Sequence, residues 1–183
     1  MSLPSALLLS LAVGAAAANA DEAPPWAEAE RSALRHHVQL TPSERFEKAG
    51  ESYFSPDGSQ IVFQAIERTD DPAAKESYYQ MYVGDVVRSD GRIRGLENIV
   101  RLSPKGSSNT CGWFHPTEPG VVIFGSTVEP PSNPGTSGYQ REGRKYVWQF
   151  PKEMDIVQVD LSEADGKGGG LTRMVENRSE ERR

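Results

Sequence analysis

Three histidines are the side chains of this 183-residue sequence best suited to bind a transition metal or carry protons near neutral pH. His36 and His37 are adjacent, and neighbouring residues of a strand point to opposite faces, so the two cannot both reach one ion easily. His115 falls inside a turn pattern, where a structural role is favoured over a ligand role. The sequence therefore predicts no metal site.

Motifs for catalysis are missing from the sequence as well. Asp57 lies in a turn, and Asp85 and Asp160 end predicted strands, where carboxylates commonly cap turns. Residues 135–138 lack the Gly-x-Ser-x-Gly spacing of a nucleophile elbow. The glycines within residues 166–170 lack the Lys-Ser/Thr pair of a phosphate-binding loop. We therefore predict a protein that is not an enzyme and holds no cofactor.

Charge and cysteine content narrow the function further. With 20 Lys and Arg against 26 Asp and Glu the net charge is −6, which argues against a nucleic-acid partner. The single cysteine, Cys111, excludes an intramolecular disulfide and a cysteine-rich zinc site. Because Cys111 precedes a predicted strand, we expect it to be a small core residue and not a reactive thiol.

One segment has the composition of a protein-binding surface. Aromatic and cationic side chains alternate after a proline-rich stretch that begins at Glu129, and Tyr, Trp and Arg dominate interface hot spots. The residues predicted to contact a protein partner are Tyr139, Arg141, Arg144 and Tyr146. The alternative is that the alternation continues through Trp148 and Phe150 as a strand whose side chains pack into a sheet.

The first twenty residues have the pattern of a secretory signal. Residues 6–18 are uncharged and mostly apolar, and they end in a small-x-small pattern at Ala18-Asn19-Ala20. The apolar run is too short to span a bilayer comfortably. We expect cleavage after Ala20, no membrane span in the mature chain, and a periplasmic or secreted protein, with an uncleaved anchor as the alternative. Residues 21–37 are predicted to be a linker or a short helix.

The elements that would position these residues come from an internal repeat. Two copies of a motif start 60 residues apart, and each has two aromatics, a proline turn, a glycine and a β-branched run ending in Phe. The first copy contains Phe54, Pro56, Asp57, Gly58 and Phe63, and the second contains Phe114, Pro116, Gly120 and Phe124. Leu-Ser/Thr pairs begin at Leu40, Leu102 and Leu171, spaced by 62 and 69 residues.

Each copy of the repeat predicts four short antiparallel strands. Pro56-Asp57-Gly58 is typical of a hairpin turn, and the residues that flank it have strand propensity. The predicted strands include residues 61–65, 78–86, 98–102, 112–114, 121–126, part of 146–161, and 171 onward. We expect residues 67–77 and 129–145 to be surface loops. The fold class is all-β: a partial β-propeller of about two four-stranded antiparallel blades with flanking strands.

The motif from Phe54 to Phe63 resembles the blade motif of the TolB-type propeller repeat, which also occurs in prolyl-oligopeptidase-like peptidases. The resemblance covers about residues 38–174, although residues 117–120 replace the Asp-Gly turn in the second copy. Residues 21–37 are too few for the α/β domain that precedes the propeller in TolB. The resemblance implies a non-catalytic interaction scaffold at the cell envelope, linked to biopolymer transport or envelope integrity. The alternative is the propeller part of a serine peptidase whose catalytic domain lies outside this chain.

Two blades are too few to close a ring, which needs at least about four. Repeat 1 is predicted over about residues 42–103 and repeat 2 over about 104–172, with the last strand of a preceding blade at residues 37–41. The next repeat would start where the polar tail, residues 175–183, ends. We therefore expect a truncated propeller, with an excised fragment or self-assembly into a complete ring as the alternatives.

Overall fold

The computed structural model describes residues 25–34, 36–133 and 138–175. The predicted signal, residues 1–20, and most of the polar tail, residues 176–183, lie outside the described residues. The chain divides into an N-terminal unit, residues 1–37, and a larger unit, residues 38–183. The first unit contains a six-residue helix, α1 (Pro25–Glu30), and a contact of 3.3 Å between His37 Nε2 and Glu30 Oε2.

The first sheet of the larger unit is a four-stranded antiparallel meander in chain order. Its strands are β1 (Phe46–Phe54), β2 (Gln60–Glu67), β3 (Gln80–Ser89) and β4 (Arg92–Arg101). Asp90 and Gly91 join β3 to β4 with φ of 51° and 72°, the backbone of a tight two-residue hairpin turn. Gly58, with φ of 70°, provides the positive φ that the turn between β1 and β2 requires.

The second sheet repeats this meander with an insertion. Its strands are β5 (Asn109–Phe114), β6 (Val121–Ser126), β9 (Asp155–Asp160) and β10 (Leu171–Val175), in the spatial order β10-β9-β6-β5. Between β6 and β9 the chain forms a separate hairpin, β7 (Gly138–Glu142) and β8 (Lys145–Gln149). A short 3-10 helix, η1 (Leu161–Glu163), follows β9.

These observations confirm an all-β fold with two four-stranded antiparallel sheets. The part of the chain that the structure describes does not close into a ring. The strand predicted at residues 37–41 is wrong, because residues 36–45 contain no strand. The loop predicted at residues 129–145 is wrong in part, because β7 and the start of β8 lie within it.

The main hydrophobic core lies between the two sheets, and we call it the interface core. It consists of Val62, Met81, Val83 and Leu102 with Phe114, Val122, Phe124, Val157 and Val159 of the second sheet. A second cluster covers the far face of the first sheet and contains Phe46, Ile61, Phe63, Ala65 and Tyr82, with Leu40 packed against it. In the first sheet β2 and the first half of β3 are therefore buried on both faces, whereas β1 is largely exposed. The second sheet buries only the face toward the first.

A buried polar network holds the crossover from the first sheet to the second. Asn109 donates from Nδ2 to the Tyr79 carbonyl at 2.9 Å and to the Ser107 carbonyl at 3.0 Å, and its Oδ1 accepts from Ser126 Oγ at 2.7 Å. Gln80 donates to the Ser107 carbonyl at 2.8 Å. Because buried polar groups are costly unless they are paired, this network fixes the point where β5 begins.

Candidate interaction surface

The first strands of the two sheets, β1 and β5, lie next to each other. A carboxylate connects them: Glu51 Oε2 accepts from the Cys111 amide at 3.2 Å and from Thr110 Oγ1 at 3.4 Å. Glu51 and Cys111 stand 60 residues apart, and both have positive φ, 42° and 56°, at a register shift in their strand. The repeat in the sequence is therefore also a repeat of the β-bulge.

An aromatic pair extends this contact between the two edges, and we call it the aromatic edge: Tyr53 of β1 and Trp113 of β5. Their ring centroids are 4.3 Å apart, with an interplanar angle of 55°. The two residues keep 39% and 53% of their surface exposed. Large, stiff rings held in place by a neighbouring sheet lose little conformational entropy when a partner covers them. The aromatic edge is therefore suited to bind a protein.

The motif residues of the first repeat build its hairpin turn. The Asp57 carboxylate accepts from Ser55 Oγ at 2.6 Å and from the Ser59 amide at 3.0 Å. These hydrogen bonds, first from the Ser55 hydroxyl and then from Ser59, lower the pKa of Asp57 from 3.8 to about 2. Asp57 is thus a turn-stabilising carboxylate, held in its charged form.

His115 performs the same task in the second repeat. Its Nδ1 accepts from the Glu118 amide at 3.0 Å and from the Thr117 amide at 3.3 Å, where the first turn uses the Asp57 carboxylate. This arrangement explains how the second turn forms without an Asp-Gly pair. The imidazole has the structural role that its turn position predicts.

The two turns border a cavity of about 300 Å³ that contains side chains typical of hydrolases. Ser55, Asp57, His115 and Glu118 are all among its lining residues. However, Ser55 Oγ donates to Asp57, and among the described residues no hydrogen bond joins a serine hydroxyl to His115. The described residues of this cavity therefore show no base–nucleophile contact of the kind that acyl transfer requires.

A charged crevice of about 530 Å³ lies beside β4, lined in part by Arg45, Glu67, Arg101 and Asp165. Arg45 Nη2 contacts Glu67 Oε1 at 3.0 Å, and Arg101 Nη1 lies 3.6 Å from Glu76 Oε1. Burial, with the charge of Glu67, raises the pKa of Tyr82 well above its usual range. These charges face partners of the same chain, so the crevice is better explained as a paired surface than as a reaction site.

The β7–β8 hairpin contains the residues that the sequence predicts for partner binding. The register pairs Tyr139 with Trp148 and Arg141 with Tyr146, and cross-strand partners share a face, so the backbone assigns these four positions to one face. Arg144 is exposed in the turn between the strands. The side chains of the other four lie outside the described residues.

The alternative for this segment is wrong at Phe150. Residues 145–149 do form a strand, as the alternation predicts, but among the described residues β8 pairs only with β7. Phe150 is 44% exposed and therefore does not pack into a sheet. Cys111 also differs from expectation, since it is exposed at the bulge and not in the core.

Comparison with protein-family models, curated proteins and solved structures finds no match to this chain. Across residues 25–34, 36–133 and 138–175, no helix is long and apolar enough to cross a membrane. The same residues contain no cluster of three or more His, Cys, Asp or Glu side chains that could hold a metal ion.

The exposure of Tyr53 and Trp113 is not predicted from the sequence, where both residues belong only to the repeated aromatic motif. The available signal is the pair of consecutive aromatics before each proline turn, Tyr53-Phe54 and Trp113-Phe114. Consecutive residues of a strand point to opposite faces, so one ring of each pair has to leave the face that the other occupies. Glu51 carries no comparable signal, because its role depends on the bulge.

Proposed function

We propose that this chain is an exported, non-catalytic interaction scaffold of the β-propeller type that acts at the cell envelope. Two four-stranded meanders packed face to face, in the order of the sequence repeat, support this architecture. The resemblance of the Phe54–Phe63 motif to the TolB-type repeat supports the cell-envelope role, in biopolymer transport or envelope integrity. The leader pattern of residues 1–20 supports export.

The observation that carries the proposal is the aromatic edge. Tyr53 and Trp113 belong to different sheets, lie in ring contact, and remain accessible to solvent. Glu51 fixes the spacing of the two strands, so the rings form a pre-organised surface. The register of the hairpin assigns Tyr139, Arg141, Tyr146 and Trp148 to one face, and their residue types are those of interface hot spots, which supports a second contact segment.

Site-specific photo-crosslinking tests the proposal. A benzophenone amino acid replaces Trp113 or Tyr139 in the full chain expressed in a Gram-negative host, and Phe150 receives the same group as an exposed control. We expect discrete crosslinked species in the envelope fraction from positions 113 or 139 and none from position 150. Equal adducts from all three positions, or adducts only with cytoplasmic proteins, would overturn the scaffold.

A second measurement tests whether the chain is an enzyme. The purified chain is incubated with fluorogenic prolyl-peptide and ester substrates, beside a His115→Ala variant. We expect no release of fluorophore above the buffer rate in either sample. Hydrolysis that the His115→Ala substitution abolishes would overturn the non-catalytic assignment and favour a peptidase.

A further inference from the structure

The exposed face of the second sheet has the same design as the buried face of the first sheet that packs into the interface core. Strand pairing defines the equivalence: Phe54 pairs with Ile61 in the first sheet, and Phe114 pairs with Val122 in the second. The next residues inward, Tyr53 and Val62, therefore correspond to Trp113 and Ile123. Val62 packs in the interface core. Trp113 is 53% exposed beside Tyr53, and Ile123 on the same face of the second sheet is partly exposed.

The two outer strand pairs follow the same correspondence. Tyr82 pairs with Arg101 and Val157 pairs with Arg173, so Met81 corresponds to Ile156. Met81 is completely buried, whereas Ile156 is 49% exposed. Leu102 follows Arg101 and is completely buried, whereas Met174 follows Arg173 and is 47% exposed. The second sheet thus presents to solvent an apolar set that the first sheet buries against a neighbouring sheet.

The far face of the first sheet provides the complementary surface. Phe54, Ile61 and Phe63 correspond to Phe114, Val122 and Phe124, the residues with which the second sheet receives the first. Leu40 packs on this far face as Leu102, 62 residues later, packs in the interface core. A groove of about 180 Å³ remains beside Leu40, lined in part by Ile61 and Phe63. Phe54 lies outside the lining of this groove and is 48% exposed.

We propose that a second copy of this chain docks head to tail, with the exposed face of the second sheet of one copy against the far face of the first sheet of the next. Both halves of the packing that joins the two sheets are present on one molecule, on opposite faces of the stack. The accessible apolar positions are Trp113, Ile123, Ile156 and Met174 on the docking face and Phe54 on the receiving face, where Ile61 and Phe63 are already buried within their own chain. None of the accessible positions carries a charge, so these contacts desolvate no ion.

Such a contact joins two different surfaces and repeats from copy to copy, so it closes into a ring or extends into a filament. Leu40 of the receiving copy and Met174 of the docking copy are both equivalent to Leu102. Met174 therefore displaces Leu40 from the receiving face when the two copies dock. The inference rests on the repeat architecture of the proposed function, but it does not require an envelope partner.

Complementation between two blocked variants tests the proposal with the full chain. Ile156→Lys places a charge on the docking face, and Phe54→Lys places one on the receiving face. Both positions are about half exposed, so the monomer fold tolerates them, and circular dichroism with urea unfolding verifies this. Phe150→Lys, at a residue 44% exposed and outside both faces, is the control.

Analytical ultracentrifugation over a concentration series gives the readout. We expect the wild type and Phe150→Lys to form species above monomer mass, and Ile156→Lys and Phe54→Lys each to remain monomeric. An equimolar mixture of the two blocked variants keeps one intact docking face and one intact receiving face, so it should form dimers and nothing larger. A monomeric wild type, a mixture that stays monomeric, or equal loss in Phe150→Lys would overturn the proposal.

The ultracentrifugation experiment and the photo-crosslinking experiment can succeed or fail independently of each other. Self-association with no adduct to another envelope protein from position 113 or position 139 would sustain head-to-tail docking and reject the scaffold, and an adduct of twice the chain's own mass counts as self-association. A monomeric wild type that still gives discrete envelope adducts would reject head-to-tail docking and sustain the scaffold.

Discussion

Gly112→Ala tests whether the two sheets are packed as closely as the structure shows. Gly112 lies in β5 on the face toward the first sheet, and a Cβ atom built there would stand 2.5 Å from Met81 Sδ and 3.0 Å from Val62 Cγ2. Favourable contacts between such atoms lie at about 3.5–4.0 Å, so the methyl group requires the Met81 side chain or one of the sheets to shift. Val62 is β-branched and has little rotamer freedom, and Met81 is completely buried.

The magnitude follows from two opposing effects. Forcing a methyl group into a packed core costs about 1–3 kcal/mol. Replacing glycine by alanine within a strand recovers about 0.5–1 kcal/mol of conformational entropy. The expected net loss in the free energy of unfolding is about 0–2.5 kcal/mol, with about 1 kcal/mol from the midpoints of the two ranges, measured by urea unfolding followed by circular dichroism.

Gly95→Ala is the matched control, because Gly95 lies in β4 and a Cβ atom there meets nothing within 4 Å. We expect that variant to be as stable as the wild type or more so. Shortening the obstructing side chain in the double variant Gly112→Ala/Met81→Val should recover about 1 kcal/mol relative to additivity. Equal effects at the two glycines, or strict additivity in the double variant, would refute the close packing of β5 against β3.

Three further outcomes are expected. Because the pKa of Asp57 is lowered from 3.8 to about 2, its charge stabilises the fold fully above pH 3.8 and less as the pH falls toward about 2. The urea midpoint of Asp57→Asn should therefore lie below that of the wild type above pH 3.8, and the difference should shrink between pH 3.8 and about 2. A difference that stays constant over that interval would contradict this reasoning. Asn109→Ala leaves buried partners of the crossover network unpaired and should cost about 2–3 kcal/mol in urea unfolding, and a loss below half of that would show that the network is dispensable. Cys111 is exposed, so one thiol per chain should react with Ellman's reagent without denaturant, whereas reaction only after unfolding would place it in the core.

The strands of the repeat are predictable because their side-chain pattern reflects burial. The β-branched and aromatic run of residues 61–65 lies in β2, and the predicted strand 121–126 coincides with β6. Both segments are buried mainly by contacts that their own apolar residues specify. The turn at Pro56-Asp57-Gly58 is predictable for a similar reason, since its residue types determine its backbone dihedrals.

The rest of the fold and of the candidate surface depends on contacts between residues that are distant in the sequence. The positive φ of Glu51 and Cys111 is unusual for residues with a Cβ atom and comes from the bulges where β1 meets β5, so exposure of Cys111 is not visible in its neighbours. Leu171 resembles Leu102 in sequence, yet it begins β10 whereas Leu102 follows the end of β4. The proline- and glycine-rich residues that precede the β7–β8 hairpin favour a loop, so β7 is not predicted from the sequence.

The β7–β8 hairpin is an insertion between β6 and β9, at a junction where the second sheet accepts additional sequence. Within the described residues, the hairpin strands pair only with each other, and β6 and β9 pair along their full length in its presence. The cost of closing a flexible connection rises by only about 0.6 kcal/mol for each doubling of its length. New sequence can therefore enter between β6 and β9 without disturbing the register of the second sheet. The junction is a natural position at which a duplicated repeat can acquire a new surface while keeping its core.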